Sequence, residues 1–192
     1  MPVYADDWTV AEARARYFET NGFGADGGYD DDWVRFAVGP FPIRFPNTDG
    51  RKAAVPAHDL HHVATGYDTD LAGEGEIGAW EIASGCWQAR AAWLLNSLAV
   101  WPVLFYALPR VYRAFVRGRH SRNLYDGTPV AELLDAKVAV LRARLGLDVP
   151  APPATTADKL AFARFLATVL ALQLAIALVL FGLPALAIAA LF

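Results

Sequence analysis

The spacing of apolar and polar residues divides this chain into an irregular first quarter, a helical middle and an uncharged end. Thr9-Val-Ala-Glu12 has the pattern of a capping box and predicts a short helix through Thr20. Asn21 to Gly28 is turn-rich. Trp33 to Val38, aromatic and β-branched, predicts a strand. Pro40, Pro42 and Pro46 then force extended or irregular chain, and Asn47 to Gly50 reads as a turn. From Ala57 the pattern becomes helical. Gly66 to Gly73 interrupts it as a polar loop, and a long helix is expected from about Glu74 towards Asn96. Thr128-Pro129 predicts a further helix, with the hydroxyl as cap and the proline in the first turn, stopping at Gly146.

Two uncharged stretches raise the question of a membrane. Phe165 to Phe192 carries no charge over 28 residues, and a span needs about 20. It follows a stiff Pro-rich segment, Val149 to Thr156, a poor position from which to join the core, so it predicts a transmembrane anchor. Lys159 and Arg164 flank its start, which places the main domain on the cytoplasmic side. Ala91 to Pro109 is also uncharged and is a candidate second span, but Asn96 and Pro102 interrupt it, which favours a core or interfacial helix. Arg110, Arg113 and Arg117 follow at helical spacing, suited to anionic lipid headgroups or to a solvated face.

The fold class expected is mainly α. A helical metal-binding domain (55–148) follows an irregular N-terminal segment (1–54) and precedes a Pro-rich linker (149–157) and a hydrophobic, transmembrane helix (158–192). Composition agrees: 55% of residues are hydrophobic and only 19% charged, against about 25% in soluble domains. A net charge of −3 leaves no basic field for nucleic acid. The single Cys86 excludes an internal disulfide framework. Gly22-Phe-Gly24-Ala-Asp-Gly27 is formally G-x-G-x-x-G, but no strand precedes it and Asp30 to Asp32 would repel a pyrophosphate.

The chemistry concentrates in His58-Asp59-Leu60-His61-His62, which holds three of the four histidines. On a helix, His58 and His62 at i and i+4 reach one ion together. Asp59 is a candidate ligand, ligand partner or proton acceptor, and His61 lies close by. One helix cannot close a coordination sphere, so a carboxylate must come from elsewhere: Glu74, Glu76 or Glu81, of which the facing of Gly78 favours Glu74. Imidazoles with carboxylates suit a divalent ion, zinc, iron or manganese, better than calcium. The string departs from H-E-x-x-H proteases by its Asp59. It lacks the upstream histidine of HD-type phosphohydrolases and the paired E-x-x-H units of di-iron bundles.

The full string H-D-L-H-H-V-A-T-G-Y-D-T-D-L-A-G-E, His58 to Glu74, resembles the signature of the Coq-four family of ubiquinone (coenzyme Q) biosynthesis, H-D-x-x-H, eleven residues, then Glu. The resemblance continues weakly to Leu147. It implies His58, Asp59, His62 and Glu74 as metal ligands, with Asp59 also relaying a proton. A groove for a prenyl tail would run along Trp93 to Leu108. It further implies work at a membrane on a prenylated quinone precursor: oxidative C1 decarboxylation and hydroxylation of the ring, or a non-catalytic scaffold that organises other quinone-biosynthesis enzymes around a structural metal.

Overall fold

The computed structural model describes residues 4–38 and 41–184; Pro40 and the last eight positions of the expected hydrophobic helix lie outside them. The described chain is mainly helical, with seven α-helices and one two-stranded ribbon. Helix α1 (Val10–Asn21) opens with the expected capping box, in which Thr9 Oγ1 accepts from the Glu12 amide and Glu12 Oε2 from the Thr9 amide. Strand β1 (Trp33–Val38) pairs antiparallel with β2 (Phe41–Pro46). Pro42 and Pro46, which suggested irregular chain, sit in an exposed second strand, where a missing N–H costs little. Asn47 anchors the ribbon's base by donating to Tyr29 O and Asp31 O.

Helix α2 (Asp49–Thr65) starts eight residues before Ala57, because Thr48 caps it and the expected turn contributes its first residues. Pro56 lies inside it and removes one donor without ending the helix. Helix α3 (Leu71–Ser84) likewise begins early, because Asp70 Oδ1 accepts from the Gly73 amide. The long helix expected to Asn96 is broken at Gly85, whose φ of 111° belongs to glycine. A short 3-10 turn at Cys86–Gln88 leads to α4 (Arg90–Val103). At 14 residues α4 is too short to span a bilayer, and it buries one face. Helix α5 (Leu108–Arg119) carries the arginines. The helix expected from Thr128 is instead a 3-10 turn, Val130–Leu133, followed by α6 (Val138–Leu145), which ends at Gly146 as expected. Val10 N donates to Ala136 O and Ala11 N to Leu134 O, so the turn before α6 is spent on fastening α1.

Helix α7 (Thr156–Ala177) runs into a π-turn at Leu178–Gly182. Thr156–Gly182 is the one helix among the described residues long and apolar enough to cross a membrane. Its first half departs from the expectation that this segment stands apart. Asp158, Phe162, Phe165 and Val169 form a buried stripe against α5, where Phe162 and Phe165 meet Phe115 at 5.3 and 4.9 Å between ring centroids.

Helix α3 is the central strut, packed between α4 and α5. Small residues allow this: a Cβ on Gly75 would lie 2.6 Å from Val103 Cγ2, and one on Gly78 3.1 Å from Asn96 O. Gly78 therefore serves helix packing, and the expectation that it leaves room beside an ion is corrected. On the other side, a Cβ on Gly118 of α5 would lie 2.4 Å from Trp80 O, a backbone atom that cannot swing away. Gly118→Ala is expected to lower stability by about 1–3 kcal/mol despite alanine's better helix propensity. A denaturant midpoint that stays level or rises would show that α3 and α5 tolerate separation.

Candidate metal centre

Helix α2 carries His58 and His62 on one face, one turn apart, and α3 brings Glu74 to them from its first turn. The His58 Nε2 and His62 Nε2 atoms are 3.2 Å apart. Glu74 Oε2 is 3.5 Å from the first and Oε1 3.4 Å from the second. These three form the described cluster able to hold a metal ion. An ion bonded at about 2.0–2.1 Å to each in tetrahedral geometry separates its ligands by about 3.3–3.4 Å. The Nε2–Nε2 edge is close to that separation, and each Nε2 stands at a similar distance from a different Glu74 oxygen, so the carboxylate as a whole forms the third corner.

The other ring nitrogens decide the tautomers. His58 Nδ1 is 2.9 Å from Glu81 Oε1, and His62 Nδ1 is 3.0 Å from Tyr67 O. Both partners only accept, so each Nδ1 carries a proton and, in the neutral rings, each Nε2 presents a bare lone pair. Two bare lone pairs facing each other beside a carboxylate require a cation between them. A proton shared between the two Nε2 atoms would meet the same demand. Burial disfavours a charged His58, but Glu81 and then Glu74 outweigh it and hold its pKa well above the ordinary imidazole value. Burial likewise raises Glu74, yet hydrogen bonds from His58 and His62 bring it down to about 2. Fixing a ligand ring through a carboxylate or carbonyl is the usual support of a histidine metal site.

Glu81 is the hub of that support. It is fully buried, and its two oxygens accept from four donors: His58 Nδ1 (2.9 Å), His61 Nδ1 (2.6 Å), Asn96 Nδ2 (2.5 Å) and Tyr125 Oη (2.9 Å). Four donors fill the lone pairs of an ionised carboxylate. Although burial opposes its charge, His58 and His61 hold the Glu81 pKa well below the usual range. His61 is committed elsewhere: its Nε2 accepts from the Leu124 amide at 2.8 Å, and burial lowers its pKa.

Comparisons with protein-family models, with curated proteins and with solved structures return no match. The geometry alone therefore sorts the candidates. His58, His62 and Glu74 converge. Asp59, expected as a fourth ligand and proton acceptor, is not one of the converging groups. Its Oδ1 accepts from Tyr17 Oη (3.3 Å) and its Oδ2 from Tyr29 Oη (2.7 Å), which tie α2 to α1 and to the loop before β1. Burial raises its pKa, with His58 and the Tyr29 hydroxyl acting against the rise. The Tyr17 ring stacks on His62 at 5.6 Å.

Glu76, the rival to Glu74, turns to α5 and accepts from Arg110 Nη2 at 2.6 Å. Glu76→Gln should leave metal content at wild type, whereas Glu74→Gln should reduce it by about tenfold or more, since an amide oxygen is a poorer ligand than a carboxylate. Elemental analysis of the two variants checks this, and equal losses would contradict the assignment. The sequence did offer a signal for Glu81: it stands on the Glu74 face, seven residues on, in a run whose neighbours Ala79, Trp80 and Ile82 are all apolar. A charge placed there has to be paired inside the fold.

Proposed function

We propose that the chain is a metal-dependent protein of ubiquinone biosynthesis that binds a prenylated aromatic precursor at a membrane and removes its C1 carboxylate oxidatively, with hydroxylation. The observation that carries this reading is the convergence of His58, His62 and Glu74 at the H-D-x-x-H, eleven residues, Glu spacing. Zinc suits two imidazoles and a carboxylate and would serve the scaffold reading, whereas the oxidative step needs a redox-active ion, iron or manganese. A bound ion would supply a Lewis acid; the two-electron oxidation and the new hydroxyl oxygen would come from dioxygen as co-substrate, which a redox-active ion would activate. The chain's own residues do the rest. His58, oriented by Glu81, and His62, oriented by Tyr67 O, fix two coordination positions, and Glu74, one-third exposed, leaves the outer side of the site reachable. Asp59 would act as the proton acceptor only by giving up a hydroxyl of Tyr17 or Tyr29, from which its two oxygens accept. The apolar helix α7 supports the membrane location, and Lys159 and Arg164 before its uncharged run favour the cytoplasmic side.

The second reading, a lipid-binding scaffold for other quinone-biosynthesis enzymes, is favoured by one feature. The site ties α2 to α3 through a deeply buried support, as a purely structural metal would. Full-length protein in detergent, loaded with each metal in turn and given a prenylated hydroxybenzoate, separates the two. Loss of the carboxyl group supports the enzyme. Binding without product, at full metal loading, supports the scaffold. Absence of both overturns the assignment to quinone precursors.

A further inference from the structure

The contacts fix which end of the helical bundle each element reaches. Helices α3 and α4 run antiparallel, since Gly75 meets Val103 and Gly78 meets Asn96 and Val100. Helix α5 follows α3 in direction: Arg110 pairs with Glu76 and Gly118 packs on Trp80. Helix α7 runs against α5. Asp158 bonds Arg119, Phe162 and Phe165 meet Phe115, and Phe162 meets Tyr112. One end of the bundle therefore gathers the start of α3 with Glu74, the end of α4, the start of α5 and the point where α7 leaves the core.

That end exposes large apolar side chains beside the Asp70 cap and the Glu76–Arg110 pair. Past Val169 no described residue of α7 is buried, and Leu174, Leu178, Leu180 and Phe181 are 56–72% exposed. The turn between α4 and α5 exposes Phe105 by 72%, Tyr106 by 59% and Leu108 by 42%, and Trp101 packs edge-on against Phe105. Leu71, at the start of α3, is 49% exposed. Aromatic side chains at the edge of an apolar helix mark the membrane–water boundary. From Leu170 the sequence runs uncharged to Phe192, 23 residues, enough for a span of about 20.

We infer that this end of the bundle sits in the bilayer interface: the 104–108 turn and Leu71 enter the lipid beside α7, whose embedded part begins near Leu170, and the metal site opens onto the membrane surface. The first half of α7 is then a helix of the soluble domain. This inference rests on reading α7 as a span and deepens the proposed function, because a prenylated substrate would reach Glu74 from the lipid side without crossing water.

The test is nitroxide depth measurement on the full chain, reconstituted in phosphatidylcholine–phosphatidylglycerol vesicles. Single labels go on Phe105→Cys, Phe181→Cys and Trp87→Cys, with the unlabelled native chain as the blank for the buried Cys86. Trp87 is 63% exposed and aromatic, like Phe105, but follows the far end of α3. Labels at 105 and 181 are expected to collide more with oxygen than with a water-soluble nickel chelate, and the label at 87 to show the inverse. Position 105 behaving like 87 overturns the docking surface, and so does 87 in lipid with 105 in water. Position 181 in water overturns both surface and span. Depth is read without metal or substrate, so a failed catalytic assay leaves this result standing.

Discussion

Glu81→Ala is expected to be the most destabilising single substitution in the chain. It removes the acceptor of four side chains at once, two of them, His61 and Asn96, buried. Each buried donor left without a partner costs about 1–3 kcal/mol, and breaking a buried charged network costs about 3–5 kcal/mol. A loss on the order of 4 kcal/mol is a large fraction of a domain's usual stability of about 5–15 kcal/mol. Glu81→Gln keeps one acceptor oxygen but turns an amide N–H₂ towards groups that also donate, so an intermediate loss is expected. Denaturant unfolding of metal-free protein reads these losses apart from any metal contribution. A Glu81→Ala midpoint within experimental error of the native one would show that the carboxylate is not the hub described here. In folded Glu81→Gln, metal affinity should fall by about 10–100-fold, the usual effect of removing support from a ligand histidine.

His62→Ala and His61→Ala should fail in opposite ways, although the residues are adjacent. His62 is one of the three residues whose cluster could hold an ion. If binding totals about 10–16 kcal/mol, losing one ligand of three weakens it by about a thousandfold. Its ring is otherwise held by one carbonyl and by the stack with Tyr17, so folding should suffer less. His61 supplies no ligand. Its removal strands the Leu124 amide and leaves a void beside Trp80, so it should cost about 2–3 kcal/mol of stability while the folded fraction keeps its metal. Metal content per folded molecule, beside a melting curve, separates the two. Equal metal loss in both variants would place His61 among the ligands.

What the sequence disclosed and what it hid follow a physical division. Local signals were legible. The Thr9–Glu12 capping box, the Gly146 stop, the i, i+4 pair His58 and His62, and the uncharged run after Arg164 all depend on neighbours in the chain. Boundaries set by a single cap, Thr48 or Asp70, were placed too late, because a proline or a glycine nearby hid the cap. What depended on distant partners was not legible. Asp59 adjoins a ligand in sequence, but Tyr17 and Tyr29, 42 and 30 residues earlier, claim its oxygens. The small Gly78 suggests space for an ion along its own helix, yet the element packed against it is α4. The burial of Phe162 and Phe165 needs the aromatic face of α5, which hydropathy along α7 alone cannot reveal.

The role of the site turns on whether His58, His62 and Glu74 hold a metal ion. X-ray absorption at the metal edge, on full-length protein purified without chelator or affinity metal, tests it most directly. The expected result is one ion per chain with a first shell of nitrogen and oxygen at about 2.0–2.1 Å, scattering from two imidazoles, and no sulfur. Loss of one imidazole signal in His62→Ala, with none lost in Glu76→Gln, would complete the assignment. Stoichiometric metal absent from folded native protein, or a shell without histidine, would contradict it.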